Sequence, residues 1–217
     1  MTFSSTVDGD GTARDLIIDT NGTTGTILFD GLVGNSNDLD AITITGNLDL
    51  DAAIANTTSI SVSGTSNLGA NVTTSGTQTY TGATTLSGGD RSLTGTTMNF
   101  GSTVAGGNNA LAISGNLDLD GAATGLTSLT VSGTSNLGAN VTTSGIQTYT
   151  GATTLSGGVR TLTGSTITIT STLAGGNNAL VITGDLEIDD DATGLSTLSV
   201  SGTTDLGGDV TTSGTQT

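Results

Sequence analysis

Gln78-Thr79-Tyr80-Thr81-Gly82-Ala83-Thr84-Thr85-Leu86-Ser87-Gly88-Gly89 returns without a change as residues 147–158, 69 residues later. The flanking sequence keeps the same interval. Asn71 to Gly76 (NVTTSG) recurs as Asn140 to Gly145, and Ala105 to Leu111 (AGGNNAL) as Ala174 to Leu180. A long period held in register through a Thr-, Gly- and Ser-rich chain marks a solenoid. Each unit of a solenoid buries its apolar side only against its neighbours.

Inside the repeat the apolar residues stand two apart and each short run ends at a glycine. Leu129-Thr130-Val131-Ser132-Gly133, Leu111-Ala112-Ile113-Ser114-Gly115 and Leu198-Ser199-Val200-Ser201-Gly202 are examples. Spacing of two is strand spacing, and Thr, Val and Ile favour strands. Glycine supplies corners of positive φ. No apolar period of 3.6 survives three turns, so no substantial helix is expected. Proline is absent from the chain, which suits strands paired on both edges. The expected fold is all-β: one continuous, right-handed parallel β-helix over residues 1–217.

The unit boundaries follow from the period. Residues 47–115, 116–184 and 185–217 are successive repeats, the last incomplete, and 1–46 is a divergent repeat with an added coil. Val7, Leu16 and Ile18 match Val33, Ile42 and Ile44 at an offset of 26, as does Phe3 with Phe29. Three coils averaging 23 residues would make the 69-residue unit, and four of about 17 is the rival count. Nine coils at ~4.8 Å per layer give a rod roughly 45 Å long. Met1 to Val7 resembles Met98 to Val104, and Thr217 falls where a third Gln-Thr-Tyr would continue. Both ends lie mid-repeat, so a stretch of a longer protein, or one subunit of a stacked polymer, is expected.

Leu68, Val72, Tyr80, Leu86, Leu93, Met98, Phe100 and Val104 are expected to point inward, with their counterparts one period on. Substitutions between copies keep the class: Met98 becomes Ile167 and Phe100 becomes Ile169. Such swaps of similar volume are what a stacked core tolerates.

Composition limits the chemistry. Three basic residues against 19 acidic ones give a net charge of -16, a poor surface for nucleic acid. Lys, His and Cys are all missing, so thiolate sites and disulfides are excluded. No apolar run reaches the ~18 residues of a membrane helix, and membrane insertion is not expected.

These residues resemble a known family. Leu129 to Gly133 (LTVSG), Ser135 to Gly145, Gln147 to Gly151 and Phe100 to Val104 look like repeats of filamentous haemagglutinin-like, two-partner-secreted bacterial adhesins. The resemblance covers most of residues 41–217 and, more loosely, 1–40. It implies a right-handed parallel β-helix exported through an outer-membrane transporter. It also implies an extracellular fibre at the bacterial surface, with a host or bacterial surface ligand as partner.

The candidate sites are few. Asn47-Leu48-Asp49-Leu50-Asp51, Asn116-Leu117-Asp118-Leu119-Asp120 and Asp185-Leu186-Glu187-Ile188-Asp189 alternate leucine or isoleucine inward with carboxylates outward. A solvated face that keeps the rod soluble accounts for them. Calcium prefers clustered oxygens, and Asp8, Asp10 and Asp15, with Asp189, Asp190 and Asp191, are the best places for it. No cofactor is otherwise called for. Arg91 and Arg160 are repeat-equivalent, hence structural, and no enzyme is expected. A catalytic site in a carbohydrate-active β-helix would break the repeat, and the clearest break is near residues 8–40. Thr-x-Thr pairs occur at Thr77–Thr79, Thr166–Thr170 and Thr215–Thr217, with no spacing of one per coil, so stacked threonine rows able to bind ice are not expected. Open strand edges at both ends favour association end to end.

Overall fold

The computed structural model describes residues 1–22 and 24–217. It contains 24 strands joined in parallel into one sheet, with no helix among the described residues. The fold is a parallel β-solenoid. Each strand pairs with the strand one turn before and one turn after it, and three strands make a turn. The rod is therefore three-sided. Ile27, Leu48, Ser66 and Thr84 stack on the first face. Leu16, Ile42, Ile60, Gln78 and Met98 stack on the third. The second face carries the column Val7, Val33, Ile54, Val72, Leu93, Ile113, Val131, Tyr149, Ile169, Ile188 and Leu206. These eleven residues mark ten turns.

The offset of 26 is a stacking register, since Phe3 lies against Phe29 and Leu16 against Ile42. It belongs to the first turn alone. Ile27 to Leu48 is 21 residues, Ile42 to Ile60 is 18 and Met98 to Leu117 is 19. The coil is thus shorter than the expected average of 23. The physical reason is that a face needs only an inward, an outward and an inward residue, as in Val72–Thr74 or Gln78–Tyr80, plus a corner of about three.

The 69-residue repeat is not a whole number of turns. From Leu48 the chain crosses successive faces at Ile54, Ile60, Ser66, Val72, Gln78, Thr84, Leu93, Met98, Val104 and Ile113, and reaches Leu117 on the eleventh step. Eleven steps of a third of a turn are three and two-thirds turns. Leu48 is on the first face, Leu117 on the third and Leu186 on the second, because Leu117 stacks on Met98 and Leu186 on Ile167. Neither three nor four coils make the unit.

The core runs along the axis as stacked columns. Phe3 and Phe29 stack with centroids 5.1 Å apart, and Tyr80 and Phe100 at 5.4 Å. Leu68, Val72, Tyr80, Leu86, Leu93, Met98, Phe100 and Val104 are buried, as are their counterparts one period on, whereas Val200, the counterpart of Val131, is only half-buried. Polar side chains join them. Gln78 and Gln147 are fully buried. The Gln78 Nε2 donates to the carbonyls of Val72 (3.2 Å) and Thr94 (2.8 Å), and its Oε1 accepts from the Tyr80 hydroxyl at 3.0 Å. Gln147 and Tyr149 repeat the arrangement. A buried amide satisfied in this way carries little desolvation penalty.

Candidate functional site

The repeat is broken where the first two turns widen. Between Val7 and Leu16, and again between Val33 and Ile42, the chain leaves the prism and forms two stacked ledges. The Asp8 carboxylate accepts from the Ser36 N–H (3.1 Å), the Asp15 carboxylate from the Ala41 N–H (3.2 Å), and the Arg14 carbonyl from the Asp40 N–H (2.9 Å). The carboxylates close the ledges onto each other, so the acidic run of residues 8–15 is a loop-stapling device. Arg14 grips Asp10 at 3.0 Å with both side chains well exposed, a pair of small energetic value. That bond, together with the Thr12 N–H, holds the Asp10 carboxyl below its usual range.

Under the ledge lies an open groove of about 320 Å³, lined by Ala13, Asp38, Leu39, Asn56, Thr57, Thr58, Thr73, Thr74 and Ser75. Its inner wall is fixed: Thr57 donates to the Asp40 carbonyl at 2.8 Å and Asn56 to the Gly34 carbonyl at 2.9 Å. A smaller concavity lies on the ledges themselves, lined by Gly11, Ala13, Ser36, Asn37 and Asp38. The region was legible as a break in the repeat, whereas the lining of the groove was not, because the threonines come from the regular coils below.

The six candidate calcium ligands are dispersed. Asp8, Asp10 and Asp15 each serve a different donor. Asp190 accepts from the Asp191 N–H, and Asp191 from the Asp209 N–H at 2.9 Å, while Asp189 points to solvent. Among the described residues no three acidic side chains converge as a metal cluster.

The outward carboxylates form ladders. Asn67 donates to Asp49 and Asn136 to Asp118, each at 2.8 Å. In the last repeat Glu187 lies directly beside Asp205. Asp185 takes the place of Asn47 and Asn116 and makes their bond, accepting from the Thr203 N–H at 2.7 Å. That backbone bond lowers its pKa. The charge is unevenly spread. Residues 1–51 hold nine acidic side chains, 52–184 three and 185–217 seven, which together are the 19 of the chain. Arg160 folds over the Gly157-Gly158 corner and donates to the Ser156 carbonyl at 2.8 Å, a structural bond. No helix among the described residues is long and apolar enough to cross a membrane.

Comparison with known proteins yields no relative. No family model, no curated protein and no solved structure matches the chain.

Proposed function

We propose that this chain is a non-enzymatic structural and adhesive stalk, part of a secreted bacterial surface protein of the filamentous haemagglutinin-like kind. The observation that carries the reading is the repeat phase. Equivalent outward residues, such as Asp49 and Asp118, turn to a new face with each repeat. A single catalytic cleft gains nothing from such a display, whereas a rod that must meet a surface from any side does. The resemblance of residues 41–217 to adhesin repeats supports the same reading. Beads coated with the purified protein are expected to adhere to bacterial or host cells under flow. Adhesion no greater than that of beads coated with an inert protein would remove the adhesive part of the reading.

A second reading is a filament subunit that stacks end to end. Its support is the stacking itself, since each layer buries its apolar side only against its neighbours. Apolar interiors with unpaired strand edges associate, and such a contact need not close. The acidic residues gathered at 1–51 and 185–217 oppose it, so salt should promote it. Light scattering and negative-stain images across salt concentrations test it. Filaments that lengthen with salt support the reading, and a monodisperse chain at every salt concentration contradicts it.

A further inference from the structure

Arg160 stands at an inward position of its strand, two residues before Leu162, with Leu180 as its register partner. Its side chain turns over the corner that precedes it. Gly157 (φ +72°) and Gly158 (φ +118°) form that corner. A Cβ on Gly157 would lie 2.9 Å from the Arg160 Nη2, so the guanidinium rests against bare backbone. Arg91 repeats the arrangement over Gly88 (φ +70°) and Gly89 (φ +125°), where the same distances are 3.3 and 3.5 Å.

No carboxylate of the chain pairs with either guanidinium. Among the described residues the one ion pair joins Arg14 to Asp10, although the chain holds 19 acidic side chains. Arg160 is only 8 % exposed. Its Nε is engaged by the Ser156 carbonyl, but its Nη1 and Nη2 donate to no described residue. The Arg91 Nε is buried with no partner at all. Asp90 is next to Arg91 in the chain, yet its carboxylate is turned to the Ala110 N–H at 2.8 Å. Val159 takes its place beside Arg160. Asp120 shares the Arg160 corner but lies two layers back, beyond Gly138. A charge withdrawn from water is ordinarily paired. The corners also leave backbone donors over. The N–H groups of Gly157, Gly158 and Val159 bond to no described residue, and neither do those of Gly88, Gly89 and Asp90.

We propose that each of these corners seats one oxyanion of the sulfate or phosphate type, free or carried as an ester, and that the Arg160 corner is the stronger seat. The guanidinium supplies a planar fork for two oxygens. The N–H groups of a glycine turn supply further donors to an anion. Donors from both a side chain and a turn suit a group whose oxygens point in more than one direction. The glycines are required twice over, for positive φ and for the close approach of the guanidinium. The surroundings do not repel an anion as the two ends of the chain would. Residues 52–184 contain three of the acidic residues and two arginines, a net charge of -1 out of -16. The Arg160 corner is the stronger because an uncharged Val159 flanks it where Asp90 flanks Arg91.

The test is an NMR titration of the isotope-labelled full chain, with sodium sulfate replacing sodium chloride at constant ionic strength. Saturable shifts are expected at the amides of Gly157, Gly158 and Val159 and at the Arg160 Nε–H. Those at Gly88, Gly89 and Asp90 should saturate at several-fold higher sulfate. Arg160→Gln should abolish saturation at residues 157–159 and leave that at 88–90 unchanged, which also shows that the variant is folded. Val159 is exposed, and Val159→Asp, which copies the first corner into the second, should weaken the Arg160 seat to the level of the Arg91 seat. Methyl sulfate separates the two sources. Saturation at the same amides assigns the seat to an ester on a larger molecule, and saturation by sulfate alone assigns it to the free ion. Shifts that rise without saturating and spread over every exposed corner would overturn the proposal. Saturation at residues 157–159 that survives in folded Arg160→Gln would overturn it as well.

Discussion

Tyr80 and Tyr149 make the same hydroxyl bond on different faces of the rod. Each is fully buried and donates its hydroxyl to the glutamine two residues earlier, at 3.0 and 2.9 Å. Tyr80 stacks on the third face between Val62 and Phe100, and Tyr149 on the second between Val131 and Ile169. The environment follows the sequence repeat while the direction does not.

Removing either hydroxyl strands a buried amide oxygen. Tyr80→Phe leaves the Gln78 Oε1 without its donor, at a cost of about 1–3 kcal/mol. Tyr149→Phe should cost the same within the error of a urea melt, because the hydroxyl that is lost has the same partner. The two losses should add, since the sites share no partner. Unequal single losses would show that the two repeats are not equivalent in energy.

Alkaline pH gives a second readout of the same pair. Burial pushes both tyrosine hydroxyls well above their ordinary value. The folded state then keeps protons that the unfolded state releases above a pH of about 10. Stability is fully present below that value and falls as pH rises past it. Tyrosinate absorbance should stay absent from the native chain at pH values where the urea-unfolded chain ionises. Early ionisation in the native chain would mean that the core admits water.

A corner glycine should be intolerant of any side chain. Gly115 has a φ of +148°, and a Cβ there would run into the Gly95 carbonyl of the layer before. Gly184 repeats the geometry over Gly164, with a φ of +134°. Gly115→Ala combines a poor backbone region with a clash against backbone, and a loss of roughly 1–3 kcal/mol is expected. Thermal unfolding of Gly115→Ala beside Gly88→Ala measures it, since Gly88 has positive φ but no atom closer than 3.3 Å to such a Cβ. Gly115→Ala should be the worse of the two.

Chelation should not matter. Asp8, Asp10 and Asp15 are already occupied with N–H or guanidinium donors, so EDTA is expected to leave the unfolding temperature unchanged. A drop of several degrees, restored by calcium, would show that Asp8, Asp10, Asp15 or Asp189 to Asp191 bind the ion.

Much of the fold was readable because a strand advertises itself locally. Leu129-Thr130-Val131 states its own alternation, and Gly133 its corner. The turn length was not readable, because no local signal separates a face from the corner that follows it. Thr142-Thr143 and Ser144-Gly145 differ little in chemistry, yet Thr143 is buried and Ser144 exposed. Polar core residues were missed for the same reason. Gln78, Ser66 and Thr84 point inward with nothing in their type to say so, and only stacking against a known column places them. The ledges at residues 8–15 and 34–41 could be located as a departure from the period. The groove below them depends on which coils lie next to them, and that requires the register.

The register itself is open to direct measurement, since the chain has no native cysteine and each layer brings register partners within disulfide range. Thr148→Cys combined with Thr168→Cys is expected to oxidise to an intramolecular disulfide, because these two are stacked partners on the second face. Thr148→Cys combined with Ser171→Cys, the partner that a uniform coil of 23 would supply, is expected to stay reduced under the same conditions. A bond in the second pair and none in the first would contradict a three-sided rod whose repeat spans eleven faces.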